Sequence, residues 1–194
     1  MGLLLRLSRA VDWASDLIGR AVMWLILLAV LVSAGNAIMR KAFNMSSNAW
    51  LELQWYLFGA AFMGAAAYTL KQGEHIRIDI VYAARSRRTQ HWIDLLGHLV
   101  FLMPFCLIST WMLVPYFLNA WASGQISTNS GGLIIWPARA ILLAGFALLC
   151  LQGLSEIVKK IAVMRGLIED PVPYVSALEA AEAESKSLAA EIAK

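Results

Sequence analysis

Charge is scarce in this chain, and arrangements that could do chemistry are scarcer. Only 15% of the 194 residues are charged while 60% are hydrophobic, far from the composition of a soluble domain. With a mean hydropathy of +0.64, such a chain has too little polar surface to stay dispersed in water. There are two cysteines, Cys106 and Cys150. Both lie in apolar runs without metal-ligand spacing, so they read as buried or lipid-facing thiols and say little about redox compartment. No CxxC, no P-loop and no Ser/His/Asp set occurs, which argues against an enzyme. Acids at the middle of an apolar span are absent too. Glu52, Asp94 and Glu156 fall near span ends, so neither a proton relay nor an ion site at mid-membrane is expected. No internal repeat and no Gly/Pro-interrupted pair of hairpins is present, and a secondary transporter working alone would need them. The net charge is +3, but the basic residues sit between apolar spans. Membrane topology accounts for them, and no nucleic-acid partner is expected.

What the chain does have is apolar length. Four spans can be counted, at about 21–39, 53–70, 99–122 and 140–158, each near the length a membrane helix needs. The expected fold is an all-α integral membrane domain over residues 1–166, followed by an acidic tail over 167–194. With the N-terminus in the cytoplasm, thirteen Lys and Arg fall on inner segments; only Arg40, Lys41 and Arg139 fall outside. That asymmetry places both termini in the cytoplasm. The first span is preceded by twenty residues and is longer than a signal-peptide core, so it is read as an uncleaved anchor. Pro104 and Pro115 are expected to kink the third span. In the first span, Asn36 is read as a packing contact between helices rather than an ion ligand.

The second span is the most informative stretch. No charged residue occurs from Leu53 to Leu70, and seven of the nine residues from Gly59 to Ala67 are Gly or Ala. Such a surface lets another helix backbone approach closely in lipid. At its head, Ser46, Ser47 or Asn48 can cap the helix. Glu52 lies in the first turns, where the helix dipole favours a negative charge, with Arg40 or Lys41 as its expected partner. At its foot stands a charged knot, Glu74, His75, Arg77 and Asp79. Arg77 would oppose a cation there, so a salt-linked helix-to-loop junction is preferred over a metal site.

Between spans two and three, Ser86 is expected to open an amphipathic inner helix with Trp92, Leu95, Leu96 and Leu99 at helical spacing. Arg85, Arg87, Arg88 and Trp92 would anchor it at the inner headgroup surface, in contact with membrane lipid. The outer loop Ser123–Leu133 is uncharged and rich in Ser, Gly and Asn, hence exposed and adaptable. Glu156 has Lys159 and Lys160 three and four residues on, a local helical ion pair, and Arg139 is expected to snorkel to the outer interface. After Pro171 and Pro173 the Ala/Glu-rich tail is too poor in apolar contacts for a stable helix, and disorder is expected. The alternative function from another class is a haem-bearing anchor of a respiratory enzyme, with His98 and His75 as the axial pair.

The run Trp50, Glu52, Gln54, Tyr56, then Gly59 to Ala67, then G73-E74-H75-I76-R77-I78-D79 resembles the small membrane (permease) subunit of TRAP transporters, the tripartite ATP-independent periplasmic transporters. The likeness extends over roughly Leu7 to Gly166. The later runs S130-G131-G132-L133 with Pro137 and L151-Q152-G153-L154-S155-E156 resemble its mannitol/chloroaromatic branch. The resemblance implies a scaffold in a sodium-driven uptake system for organic acids in the bacterial inner membrane. Its partners would be a large membrane subunit and a periplasmic substrate-binding protein. Sodium and substrate sites would belong to the large subunit, so no cofactor, metal or substrate site is expected in this chain. Glu52, Gln54, Tyr56, Gly59, Ala60, Gly64, His75, Arg77 and Asp79 would shape the fold and the subunit contact.

Overall fold

The structure, a computed structural model, describes residues 2–45, 47–73, 82 and 85–170. Helix α1 runs unbroken over Gly2–Phe43, about 63 Å at ~1.5 Å per residue. Its last turn carries Arg40 and Lys41, which suits the negative end of the helix dipole. Helix α2 covers Asn48–Gln72 after an extended Ser47, and stops at Gly73 with φ 70°. In that left-handed conformation Gly73 caps the helix by giving its N–H to the Leu70 carbonyl, a termination that favours glycine. Helix α3 (Arg87–Leu96), a π-helical turn (Gly97–Leu102) and helix α4 (Met103–Ser123) follow without interruption. Helix α5 spans Trp136–Met164.

Three of these rods are long and apolar enough to cross a membrane: Gly2–Phe43, Arg87–Ser123 and Trp136–Met164. The sequence count of four includes α2. That helix has 25 residues and so the length, but Gln54, the tyrosines and the Gly/Ala run dilute its apolar character. The physical reason is its position. Much of its surface faces protein, and small residues there serve close approach better than large apolar ones.

Side-chain pairings fix the arrangement. Lys71 meets Asp16, the space beside Gly19 is filled by Tyr68, and that beside Gly64 by Ile18 and Val22. Rising numbers in α1 meet falling numbers in α2, so the two are antiparallel. Ser8 meets Ser155 and Ser15 meets Gln152, so α1 is antiparallel to α5 as well. The first twenty residues are therefore not a loose leader but the lower half of α1, lying along the end of α5. Helix α4 packs along α5, with Phe105 edge-on to Phe146 at 5.7 Å and Trp121 edge-on to Trp136 at 4.6 Å. Met103, Cys106 and Cys150 form a small buried cluster between them, and both cysteines are free thiols.

The molecule is apolar on the outside. Trp111 is 78% exposed and Phe101 75%, an arrangement that only lipid or a protein partner can cover. The expected kinks take another form. The π turn directly precedes Pro104, at the start of α4, and the helix continues through Pro115; a wider turn is one way to absorb a residue without an N–H. The inner amphipathic segment is likewise not a separate helix but the foot of this 37-residue rod. The charged knot, including His75, Arg77 and Asp79, and the tail from 171 onward lie outside the described residues.

Candidate functional site

Polar side chains gather at the two ends of the bundle, and each end is a lock between helices. At the end that the Lys and Arg asymmetry predicts to face outward, called the outer end, the loop joining α4 to α5 folds back on itself. Ser127 N–H reaches the Leu133 carbonyl and Ile135 N–H the Gln125 carbonyl, both at 2.9 Å. Gly131 turns the chain with φ +68°. At Gly132 a Cβ would lie 2.6 Å from Ser127 Cβ and 2.8 Å from Glu52 Oε1. One glycine supplies the backbone conformation; the other leaves room for the carboxylate.

Glu52 is the hub of this end. It is buried and accepts hydrogen bonds from Ser127 Oγ, from Asn129 Nδ2 at 2.8 Å and from the Leu133 N–H at 2.6 Å. The Ser127 bond above all, then those from Leu133 and Asn129, hold its carboxyl below the ordinary value of 4.5 against the opposing effect of burial. On either side Asn48 Nδ2 donates to the Ser130 carbonyl at 2.9 Å and Tyr56 OH to the Ile134 carbonyl at 3.1 Å. One face of α2, positions 48, 52 and 56, thus grips the loop through its whole length. The expected partner of Glu52 was Arg40 or Lys41. Its partners are instead neutral donors from a loop some eighty residues away, and Asn48 spends its side chain on that loop rather than on capping. Far from being adaptable, the loop is tied down.

From the other side, Arg139 in the first turn of α5 holds the same loop. Its Nη1 donates to the Tyr116 carbonyl and its Nη2 to Gln125 Oε1, both at 2.9 Å. The guanidinium carbon lies 3.8 Å from the centre of the Tyr116 ring, a cation–π contact. The side chain is therefore folded back onto α4 rather than stretched along the helix.

At the inner end, Ser8, Asp12 and Ser15 of α1 face Gln152, Ser155, Glu156 and Lys159 of α5. Ser15 donates to Gln152 at 2.8 Å, and Gln152 in turn donates to Asp12 at 2.9 Å and Glu156 at 2.8 Å. Ser155 reaches Asp12 at 3.0 Å, and Lys159 lies 3.1 Å from Asp12 and 2.5 Å from Glu156. Gln152 and Ser15 are fully enclosed. Glu156 pairs with Lys159 as the helical spacing indicates, whereas Lys160 turns to Asp94 at 2.8 Å. None of Ser8, Asp12 or Ser15 stands out as a motif, and the run that holds Gln152 does not show what it pairs with. Positions 8, 12 and 15 and positions 152, 155, 156 and 159 nevertheless form two polar stripes at helical spacing, the signal that could have paired them.

Both locks join helices of this chain to one another. Residues 29–163, or 135 of the 194, match the family described as tripartite ATP-independent periplasmic transporters, DctQ component. The chain belongs to this family. No curated protein and no solved structure matches it. As a DctQ component it is a small membrane subunit of a TRAP transporter and not an enzyme, which displaces the haem-anchor alternative.

The remaining candidates of the DctQ component separate by place. Gly64 is buried against Ile18 and Val22 of α1, while a Cβ on Gly59 would meet nothing within 4 Å. Ala60 lines a cleft between α1, α2 and α5. Gln54 lines an open groove of about 640 Å³ between α1 and α2, with Ala29, Ser33 and Ala37 on one wall and Trp55 and Phe58 on the other. The Gly/Ala run of α2 is thus used largely within the chain, its Ala61, Gly64 and Ala67 all buried. On α3, Gln90, His91 and Asp94 face inward while Trp92 is exposed. Arg85 and Arg88 are exposed, but Arg87 is turned to Asp170 and Gln90.

Proposed function

We propose that this DctQ component is the scaffold subunit of a sodium-coupled uptake system for organic acids and carries no substrate site of its own. One observation supports this most directly. The polar side chains at both ends of the bundle are spent on bonds between its own helices, while the outward surface is large and apolar. Sodium and solute would be handled by the large membrane subunit. The groove between α1 and α2, floored by small residues and edged by Trp55 and Phe58, is the surface proposed for that subunit. Gln54 lies on it, Gly59 just past Phe58 is open to close approach, and His75, Arg77 and Asp79 would complete the contact from the foot of α2.

Helix α2 is proposed as the fourth span, crossing under cover of α1, α5 and the large subunit. The thirteen-to-three distribution of Lys and Arg puts both termini in the cytoplasm of a bacterial cell and the Glu52-held loop in the periplasm. A periplasmic binding protein would meet that loop. Arg85, Arg88 and Trp92 would rest on the inner headgroups. The motifs resembling the mannitol/chloroaromatic branch point to carboxylates, such as 2-oxo or hydroxy acids.

The test is a pull-down of the full chain, tagged at its C-terminus, from detergent-solubilised native membranes. A large multi-span membrane protein should co-purify, joined weakly by a periplasmic binding protein. Ser33→Leu, which fills the groove without touching either lock, should reduce recovery of the large protein. A partner carrying haem or flavin would defeat the proposal.

A further inference from the structure

Arg139 holds the outer loop, and its charge meets no carboxylate among the described residues. At the inner end Asp12, Asp16, Asp94, Glu156 and Asp170 all pair with Lys or Arg. At the outer end the acid at hand, Glu52, has both oxygens taken by Ser127, Asn129 and Leu133. Arg139 is held by two neutral oxygens and one aromatic face, and its Nε is enclosed without an acceptor.

A guanidinium has five N–H donors. One on Nη1 goes to Tyr116 and one on Nη2 to Gln125; the Nε–H is enclosed. That leaves one N–H on each terminal nitrogen, and the positive charge itself, for a phosphate or carboxylate. The group itself is partly exposed and does not swing freely, since two hydrogen bonds and the Tyr116 ring fix its plane. The ordering cost of binding an anion has largely been met by the fold.

The surroundings narrow the choice of anion. Trp121 and Trp136 stack edge-on beside this corner, with Phe117 6.0 Å from Trp121, and Trp121 is 57% exposed. Below them lie the apolar flanks of α4 and α5; above them lies the uncharged loop. Indole rings with one apolar and one polar edge, set at such a boundary, mark headgroup level. A free anion in water would find no use for those aromatic flanks, whereas the glycerol and upper acyl region of a lipid would.

We infer that Arg139, with Trp121 and Trp136 beside it, binds the phosphate of an outer-leaflet phospholipid as its missing counter-ion. The inference rests on the membrane orientation proposed above, but not on the identity of the solute or on the surface that meets the large subunit.

The full chain is delipidated in detergent and titrated separately with dioleoyl phosphatidylglycerol and dioleoylglycerol, and bound lipid is counted by native mass spectrometry. Phosphatidylglycerol should bind and dioleoylglycerol, which has the same chains without the phosphate, should not. Arg139→Gln should weaken the adduct about fivefold, Arg139→Lys should retain most of it, and Arg40→Gln should leave it unchanged. Equal binding by Arg139→Gln overturns the inference, as does equal binding of dioleoylglycerol. Displacement of the lipid by millimolar inorganic phosphate would assign the corner to a free anion and overturn the lipid. So would loss of the adduct from Arg139→Lys as complete as from Arg139→Gln, because a fold defect would then explain both. Co-purification of the large subunit is followed in the same preparations. If it fails already with the unaltered chain, the scaffold proposal has failed and not this one; if Arg139→Gln alone abolishes it while lipid binding persists, the counter-ion is a carboxylate of the partner.

Discussion

A single carboxylate organises the outer face of this protein. Glu52 is uncharged-donor territory on every side: a hydroxyl, a side-chain amide and a backbone N–H all converge on it, and each favours the ionised form. Its folded-state carboxyl titrates below the ordinary 4.5, so the sign of the pH effect follows. The stabilisation is present above pH 4.5 and is lost as pH falls through the lower folded value. Hydrogen-exchange protection of the loop amides, Ser127 and Leu133 in particular, should hold at neutral pH and fall once the carboxyl is protonated. Glu52→Gln should reproduce the unprotected state at neutral pH, since an amide cannot accept all three bonds with the strength of a carboxylate. Unchanged protection in that variant would show that the loop is held by Asn48, Tyr56 and Arg139 without it.

At the scale of the helix, glycines that look alike in the sequence do different work. A Cβ on Gly145 would sit 2.6 Å from Met63 Cβ, an atom that can move only with its backbone; one on Gly64 would sit 2.9 Å from Ile18 Cγ2, a branch methyl with slightly more room; one on Gly59 would meet open space. Thermal unfolding in detergent should therefore rank the alanine variants. Gly145→Ala should cost about 1–3 kcal/mol as overpacking, and Gly64→Ala less. Gly59→Ala should be neutral or stabilising by up to about 1 kcal/mol through helix propensity. A Gly59→Ala variant that unfolds early would mean that this face of α2 is already covered within the chain. The same ranking tells a fold defect from a lost partner, because Gly145 and Gly64 pack against neighbours within the chain and Gly59 does not.

Across the whole molecule, the inner lock determines topology. Asp12 and Lys159 touch, so the beginning of α1 and the end of α5 share one side of any membrane the bundle crosses. Cysteines introduced at Leu3 and Leu167, both exposed, should label with an impermeant maleimide from the same side only. Cys106 and Cys150 are buried, and burial raises the reactivity threshold of a thiol, so the unaltered protein should give little background. Labelling of Leu3→Cys and Leu167→Cys from opposite sides would require an odd number of crossings and would remove α2 as a span.

The all-α character, the long apolar helices and the family were legible in the sequence because they rest on local quantities: run length, the spacing of Lys and Arg, and a short motif of small and charged residues. Membership followed from the run between Trp50 and Asp79 together with the later Gly-Gly and Gln-Gly stretches. Pairings were not legible. Asp12 and Gln152 are 140 residues apart, and in the sequence Asp12 sits in what reads as a charged leader before the first span. Glu52 had two cations close by in the chain, yet its partners came from the α4–α5 loop, because a buried carboxylate is satisfied by whichever donors the fold delivers. The sequence by itself determined that this chain is helical, apolar on its flanks and a DctQ component. Only the tertiary structure decided that the Gly/Ala run of α2 is largely spent inside the chain, and that Arg139 is held by neutral oxygens and an aromatic ring rather than by an acid. Hydrophobicity is a property of each residue, whereas satisfaction of a buried polar group is a property of two residues brought together.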